Sequence, residues 1–262
     1  MSVLPAQQML KVAGYDPGPL DGVWGLKTAS AMSRALSDAR AWRSHALGGV
    51  IAGEPPRLTQ FDIEEASRTL NVPVATVKAV IEVESNGGGF HDDVRREILE
   101  IDGPGGFIDG DMPKILFEAH VFSDLTGGQY DATHPNISSP RWNRHLYKGG
   151  QAEYGRLWSA MMLDETAALK ATSWGLFQIL GRNHAVAGYE TVQSLVAAMK
   201  RSEAHHLTAF CTFLLNNKPP LDGYLRKCDW ANFARYYNGP GYAANKYDTR
   251  LAAAYAKWSK KG

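Results

Sequence analysis

The feature that most constrains the fold is the spacing of apolar residues from Asp62 onward. Apolar side chains recur every three to four positions, whereas the apolar–polar alternation of β-strands is nearly absent. This spacing predicts helices over residues 63–70, 74–85, 154–169, 191–200, 203–215, 230–237 and 249–258. The predicted fold class is therefore mainly α.

Local signals predict where the first of these helices begin. Asp62 followed by Glu65 has the spacing of a capping box, and Pro73 suits the first turn of the next helix. The stretch 87–113 is rich in glycine and carries no helical period. We therefore expect it to separate the early helices from the later ones.

The first 45 residues predict a small module of their own. Residues 7–12 have a helical pattern that Gly14 closes, "DPGPLDG" is a concentrated turn signal, and helical spacing returns after it. Residues 46–58 are rich in Gly and Pro and predict a linker. The predicted domains are therefore 1–45, the linker 46–58, and a large domain of 59–262.

Composition excludes several classes of protein. Lys and Arg total 28 against 27 for Asp and Glu, a balance that does not suggest a nucleic-acid binder. No apolar run approaches the ~18 residues that a membrane span needs. The N-terminus lacks a basic stretch followed by an apolar one, so no signal peptide is expected. We expect a protein made in a cytoplasm, without stable membrane insertion, and a monomer by default.

Glu82 and Glu84 lie two positions apart at the end of a predicted helix. At 100° per residue, Glu84 continues an apolar stripe, whereas Glu82 points the other way, near Lys78. The stripe consists of Val77, Val80 and Ile81. Desolvation and the negative end of the helix dipole should both raise the pKa of Glu84. A glycosidase general acid needs such a carboxyl; the alternative is that Glu84 frays outward into solvent.

Four motifs follow one another in an order typical of a known superfamily. They are "EVES" (82–85), "ILFEAH" (115–120), "SWGLFQIL" (173–180) and "ARYYNGPGY" (234–242). Together they resemble the goose-type lysozyme and soluble lytic transglycosylase superfamily. The pairing of "EVES" with "ILFE" and a following His resembles more closely the phage endolysins of the N-acetylmuramidase family. The resemblance implies a lysozyme-like catalytic domain.

The same resemblance implies roles for individual residues. Glu84 aligns with the catalytic acid, which protonates the glycosidic oxygen between N-acetylmuramic acid and N-acetylglucosamine, and Glu118 aligns with the second acidic position. The residues implied to line the substrate cleft are Ser173, Trp174, Gln178, Tyr236, Tyr237 and Asn238. Considered by itself, each aromatic ring among them could equally be a core residue.

The N-terminal module independently resembles a peptidoglycan-binding domain built from short helices, on the match "GYDPGPLDGVWGLKTASAM". The loop residues implied to bind the wall are Tyr15, Asp21, Gly22, Trp24 and Gly25. The alternative is structural: Trp24 would pack between the helices and Asp21 would cap the second one.

One segment departs from the family pattern. Between "ESNGGGF" and "PKILFE" the chain inserts residues 91–112, which carry several acidic side chains. We expect most of these charges to be solvated. The insertion could nevertheless extend one lip of the cleft or supply a further carboxylate, which leaves the role of Glu118 open.

The implied substrate is the glycan strand of bacterial peptidoglycan, and no cofactor is expected. Hydrolysis would use a second carboxylate about 5 Å away if retaining, or about 6.5–9.5 Å away if inverting. Lytic transglycosylation would need one glutamate, because a hydroxyl of the sugar closes a 1,6-anhydro ring. A non-catalytic wall-binding protein is the third alternative. The resemblance also implies synthesis in a host cytoplasm and action on the periplasmic wall once a partner has permeabilised the membrane.

Metal and cysteine chemistries are disfavoured. His205 and His206 are adjacent and would project about 100° apart on a helix, and no HExxH motif occurs. Cys211 lies in an apolar run typical of a buried thiol, and Cys228 has no His nearby in sequence. We therefore expect no catalytic metal and no Cys/His nucleophile.

Overall fold

The computed structural model describes residues 3–12, 14–23, 27–28, 31, 57–86, 95–96, 101–102, 107–108, 112–150 and 152–260. They fall into two compact units: one within Met1–Glu54 and Ile115–Ser173, the other within Pro55–Lys114 and Trp174–Gly262. We describe each unit by itself. The predicted boundaries at 45 and 58 stay a prediction, because most of the linker lies outside the described residues.

Helices dominate the described part, which confirms the mainly α prediction. They are α1 (Val3–Val12), α2 (Gln60–Leu70), α3 (Val74–Asn86), α4 (Ala119–Leu125), α5 (Ala152–Met161), α6 (Glu165–Lys170), α7 (Val192–Met199), α8 (Glu203–Asn216), α9 (Asp222–Arg226), α10 (Trp230–Tyr237) and α11 (Tyr247–Ser259). Short 3-10 turns cover Arg144–Leu146, Gly181–Asn183 and Pro240–Ala243.

The strands are only two or three residues long. They are β1 (Arg95–Arg96), β2 (Ile101–Asp102), β3 (Phe107–Ile108), β4 (Met112–Pro113), β5 (Ile115–Phe117), β6 (Thr172–Trp174) and β7 (Ile179–Leu180). β1 pairs with β2, and β3 with β4, both antiparallel. Apart from Pro113, the residues of these four strands are the described part of the predicted insertion 91–112, whose other residues lie outside the described ranges.

In the first unit, α1 is longer at its N-terminus than the predicted 7–12. A proline at position 5 fits because the first turn of a helix leaves its N–H groups unpaired in any case. The helix closes as predicted, with Gly14 at φ +88° and its N–H donating to the Lys11 carbonyl at 3.1 Å. Glycine adopts this left-handed conformation without strain.

The loop after α1 is organised by one buried side chain, Gln7. Its Nε2 donates to the carbonyls of Pro19 (2.9 Å) and Val23 (2.8 Å), and its Oε1 accepts from the Gly22 N–H at 2.9 Å. Asp21 is a further acceptor of Nε2, at 3.2 Å. A single amide thereby satisfies loop groups that cannot pair with one another.

The helix predicted over 154–169 is two helices. α5 ends at Met161, and Asp164 caps α6 by accepting from the Ala167 N–H at 2.9 Å. The single-helix prediction is wrong. The apolar residues around Asp164 have the same spacing whether this Asp caps a new helix or lies on the surface of a continuous one, so the spacing did not reveal the break. The core of this unit includes the fully buried Phe117 and Phe122, with ring centroids 5.8 Å apart.

In the second unit, the capping box of α2 begins three residues earlier than predicted. Thr59 is the N-cap: its Oγ1 accepts from the Asp62 N–H at 3.3 Å, and its own N–H donates to Asp62 at 2.8 Å. Asp62 is therefore the third helical residue, and the predicted pair of Asp62 with Glu65 is wrong. Glu65 instead forms an exposed ion pair with Arg68.

Two contacts bind the segments of this unit together. Glu203, fully buried at the start of α8, accepts from the Leu58 N–H at 3.0 Å and pairs with Arg57 at 3.4 Å. On α3, Glu82 accepts from Lys257 Nζ at 3.1 Å and from Trp258 Nε1 at 2.7 Å, both on α11. The prediction that Glu82 is a solvated charge is wrong, because its carboxylate connects α3 to α11 through these two hydrogen bonds.

No helix in the described part of the chain is long and apolar enough to span a bilayer.

Candidate active site

Glu84 lies on the core-facing side of α3, close to its C-terminal end. Its side chain is buried, with 8% of the residue exposed, among neighbours such as Val80 and Ile81 on the same helix. Burial raises the pKa of its carboxyl from 4.5 to about 7. The predicted burial and the predicted direction of the pKa shift are both confirmed, and the alternative of a frayed side chain is wrong.

Two polar groups moderate the effect of burial on Glu84. Asn238, directly after α10, donates from Nδ2 to Glu84 Oε1 at 3.3 Å, and this hydrogen bond lowers the pKa of Glu84. The charge of Arg250 on α11 lowers this pKa further, and its Nη2 also donates to the Val83 carbonyl at 3.4 Å. Desolvation remains the larger effect, so the carboxyl is close to half-protonated at neutral pH.

Tyr237 belongs to the aromatic core near this carboxyl. Its hydroxyl donates to the Phe177 carbonyl at 2.8 Å, and its ring stacks on Phe233 with centroids 5.5 Å apart. Burial raises the pKa of Tyr237 well above its usual value, and the charge of Glu84 raises it further. The same charge acts on Tyr247. Both phenols are therefore neutral hydrogen-bonding groups near Glu84.

The three consecutive residues predicted as one cleft wall have different surroundings. Asn238 donates a hydrogen bond to Glu84, and the charge of Glu84 raises the pKa of Tyr237. Tyr236 is instead 48% exposed and stacks on Tyr224, with ring centroids 5.5 Å apart. Adjacent positions of a helix project about 100° apart, which explains the separation. A substrate role for Tyr236 stays a prediction.

The predicted cleft residues of the "SWGLFQIL" segment are largely enclosed. Ser173 and Trp174 are buried, with Trp174 only 2% exposed. Gln178 has φ +49° and uses its Nε2 to donate to Gly175 O at 2.8 Å and Lys114 O at 3.2 Å. These positions support the core interpretation of Trp174, and the binding roles of the three residues remain predictions.

His206 fixes the turn of residues 174–178 in a way that the sequence did not reveal. Its ring contacts the Leu176 N–H at 3.1 Å and the Met199 carbonyl at 2.7 Å, so Nδ1 is the acceptor and Nε2 the donor. Gly175 has φ +73°, and a Cβ there would lie 2.9 Å from His206 Nδ1. Only glycine fits at position 175.

Glu118 lies in the first unit, between β5 and α4. Its Oε2 accepts from the Tyr147 hydroxyl and lies 3.4 Å from His120 Nδ1. Burial raises the pKa of Glu118, while the Tyr147 hydrogen bond and the charge of His120 lower it. Unlike Glu84, this carboxyl has several polar neighbours.

A fully buried ion pair lies behind Glu118. Glu153 Oε2 accepts from Arg156 Nη1 at 2.8 Å and from the Phe117 N–H at 3.2 Å, and its Oε1 accepts from the Gly149 N–H at 3.0 Å. Arg156 also donates to the Phe117 carbonyl at 2.9 Å. The pair thereby holds both the strand before Glu118 and the loop after Tyr147. Sequence reasoning missed it because opposite charges at i and i+3 are usually a surface pair.

The two cysteines behave as structural residues. Cys211 is buried, and burial raises the pKa of its thiol to about 12; Cys228 is half-buried, and both are free. Within the described ranges, no group of three His, Cys, Asp or Glu side chains is arranged to hold a metal ion.

The predicted wall-binding loop is described only in part. Tyr15 is half-buried, Gly22 has φ +74°, and Asp21 accepts from the Val23 N–H at 2.9 Å. This hydrogen bond lowers the pKa of Asp21 and fixes a turn. Trp24 and Gly25 lie outside the described residues. Wall binding by this loop stays a prediction.

A mainly helical chain with a neutralisable carboxyl at the end of a buried helix has the features of lysozyme-like glycosidases. Residues 100–259 match the sequence profile described as Muramidase, N-acetylmuramidase. The chain belongs to the N-acetylmuramidase family and is a glycoside hydrolase acting on peptidoglycan. The match includes Glu118, whereas Glu84 precedes it.

A solved structure supports this assignment. The crystal structure of the Burkholderia AP3 phage endolysin is similar, with 33% sequence identity and a TM-score of 0.68, over 99% of this chain and 95% of that one. A comparison with curated proteins gave no match. The profile match and this structural similarity confirm the sequence-based prediction that the chain resembles phage endolysins of the N-acetylmuramidase family.

Proposed function

We propose that this protein is an endolysin that cleaves the bond between N-acetylmuramic acid and N-acetylglucosamine, with Glu84 as general acid. The observation that carries the proposal is the Glu84 carboxyl, buried at the end of α3 with its pKa raised to about 7. A general acid is most effective when its pKa lies near the working pH, because it then holds its proton and still gives it up readily.

In this mechanism the carboxyl of Glu84 transfers its proton to the glycosidic oxygen as the bond to the sugar carbon breaks. Asn238 is the positioning residue, because its Nδ2 donates to Oε1 and leaves Oε2 to carry the proton. Its hydrogen bond also stabilises the carboxylate that remains after transfer. Arg250 adds a nearby positive charge that favours the same product state.

Glu118 is proposed as the supporting carboxylate. Its hydrogen bond from Tyr147 and its proximity to His120 favour the ionised form, which can stabilise the positive charge of the sugar or orient water. Glu118→Gln should weaken lysis about tenfold or more, in proportion to the lost charge stabilisation. Full lytic activity of this variant would remove Glu118 from the mechanism.

The experiment that tests the proposal is mass spectrometry of the muropeptides released from purified peptidoglycan. Reducing N-acetylmuramic acid ends are the expected result and demonstrate hydrolysis of the proposed bond. Ends of 1,6-anhydro type would assign lytic transglycosylation, and reducing N-acetylglucosamine ends would move the cleavage to the other bond. Release of no fragments would leave a wall-binding protein.

The N-terminal module is proposed to anchor the enzyme to the wall, on the resemblance of its loop together with the rigid hydrogen bonding of that loop around Gln7. Deleting the residues before Leu58 should lower affinity for sedimented peptidoglycan while the remainder still cleaves soluble glycan. Equal sedimentation of both forms would show that the module is not the anchor.

We further propose action on the periplasmic wall after another protein has permeabilised the membrane.

A further inference from the structure

Trp142 is an exposed aromatic residue on a fixed loop of the first unit. Its exposed fraction is 62%, the largest value among the tryptophans in the described part of the chain. The loop is held on both sides: the Ser139 N–H donates to the Ala119 carbonyl at 3.2 Å, and Asn143 Oδ1 accepts from the His145 N–H at 3.0 Å. Exposing an indole costs hydrophobic free energy, and the fixed loop keeps it in place.

A row of contacts leads from Trp142 to Glu118. The indole and the ring of Tyr147 have centroids 6.3 Å apart at an angle of 52°, and the Tyr147 hydroxyl donates to Glu118 Oε2. The guanidinium of Arg156 lies 5.7 Å from the centre of the Tyr147 ring. The buried pair of Arg156 and Glu153 therefore fixes the position of the row.

The Glu118 end of the row offers hydrogen-bonding groups. Within the described part of the chain, Glu118 Oε1 has no donor, whereas Oε2 is engaged by Tyr147 and lies 3.4 Å from His120. The side chain of His120 is 37% exposed and that of Glu118 16%. Both can reach a ligand from the solvent side.

The surroundings of Trp142 are polar. The neighbouring residues Arg141, Asn143 and Arg144 are all exposed, so the indole is not part of a broad apolar patch. Protein partners are recognised by such patches. A single ring beside hydroxyl- and carboxylate-binding groups fits a pyranose, which has one apolar face and a polar rim.

We propose that Trp142, Tyr147, Glu118 and His120 form a subsite for one N-acetylhexosamine ring of the glycan strand. The indole stacks on the apolar face of the sugar, and Glu118 Oε1 accepts from a sugar hydroxyl or from the N–H of the acetamido group. Arg141 and Arg144 attract the carboxylates of the stem peptide, or the lactyl carboxylate of a muramic acid that carries no peptide. The inference rests on the proposed function. It adds a substrate contact in the first unit of the chain, whereas Glu84 belongs to the second.

The test measures binding of a tetramer of β-1,4-linked N-acetylglucosamine to the full chain by calorimetry. The Glu84→Gln background prevents turnover. Adding Trp142→Ala should raise Kd about tenfold, the loss expected when one ring face no longer covers a sugar. Adding Trp142→Phe should raise Kd less, because a smaller ring still stacks. Kd values for Trp142→Ala within twofold of the parent would overturn the subsite, as would a parent that does not bind.

Phe61→Ala is the matched control, since Phe61 on α2 is an exposed ring of similar exposure, 65%, in the other unit. Its Kd should not change. Light scattering of the same samples tests whether the indole instead contacts a second copy of the chain. A change of oligomeric state on Trp142→Ala would assign the indole to such an interface and overturn the proposal. Residual lysis by Glu84→Gln would contradict the proposed function separately, because the Kd measurement does not depend on turnover.

Discussion

The two carboxyls singled out by the sequence, Glu84 and Glu118, are shifted by the same force but held by different neighbours. Burial raises the pKa of both. At Glu84, one amide donor and one cation lower the pKa that burial raises, and the pKa reaches about 7. At Glu118, a phenol, an imidazole and a guanidinium all lower the pKa that burial raises.

The difference between the two sites is the basis of the two roles that we propose. A carboxyl with few polar neighbours keeps its proton at neutral pH and can act as an acid. A carboxyl surrounded by donors and positive charge is more easily ionised and is suited to stabilising a cation. In the proposed mechanism the same residue type thereby serves two roles, set by the number of donors that reach it.

The largest expected effect tests the acid itself. Glu84→Gln removes the transferable proton, keeps the size of the side chain, and should reduce lysis about 100-fold or more in a turbidity assay on permeabilised cells. Glu82→Gln is the matched control: the same change on the same helix removes the charge that pairs with Lys257 and keeps an acceptor for Trp258, and lysis should persist. Substantial residual lysis by Glu84→Gln would discard its assignment.

The buried pair behind Glu118 should dominate the stability of its unit. Glu153→Ala leaves Arg156 buried and unpaired and removes the acceptor of the Phe117 and Gly149 N–H groups. We expect a loss of about 3–5 kcal/mol in the free energy of unfolding, measured by urea denaturation. Glu165→Ala, at an exposed position at the start of α6, should cost less than about 1 kcal/mol. Similar losses for both would show that the pair is not a structural centre.

The stability of the second unit should depend on pH through Glu84. Its pKa is higher in the folded state, about 7, than the ordinary 4.5, so the unfolded chain ionises first as pH rises. Stability is therefore lost between these two values and stays lower above pH 7. Glu84→Gln should be more stable than the parent at pH 8 by about 3 kcal/mol and nearly equal to it at pH 4. Melting curves at both pH values measure this, and a constant difference would contradict a raised pKa.

The smallest expected effect concerns Asn238. The proposed mechanism requires a protonated Glu84, so lysis should fall as pH rises through about 7. Asn238→Ala removes a hydrogen bond that lowers the pKa of Glu84, so the alkaline limb of the pH–activity profile should move upward by about half a pH unit. Asn232→Ala, on α10 and bonded to Asp229 instead, should leave that limb in place. An unmoved limb in Asn238→Ala would mean that its amide does not act on the acid.

Helices were predictable where the apolar period was long and uninterrupted. The prediction for α10 matches at both ends, and those for α3 and α8 differ from the observed bounds by one residue at the C-terminus. The short helices α4 and α9 were missed, since five to seven residues give too few periods to recognise.

The sequence by itself determined that the chain is mainly helical, that Glu84 faces the core, and that the motifs belong to N-acetylmuramidases. These follow from local periodicity and order along the chain. Only the tertiary structure decided which donors reach each carboxyl. Asn238 follows Glu84 by 154 positions and Tyr147 follows Glu118 by 29. Contacts between residues so distant in sequence form when helices pack, and no local pattern encodes which side chains then meet.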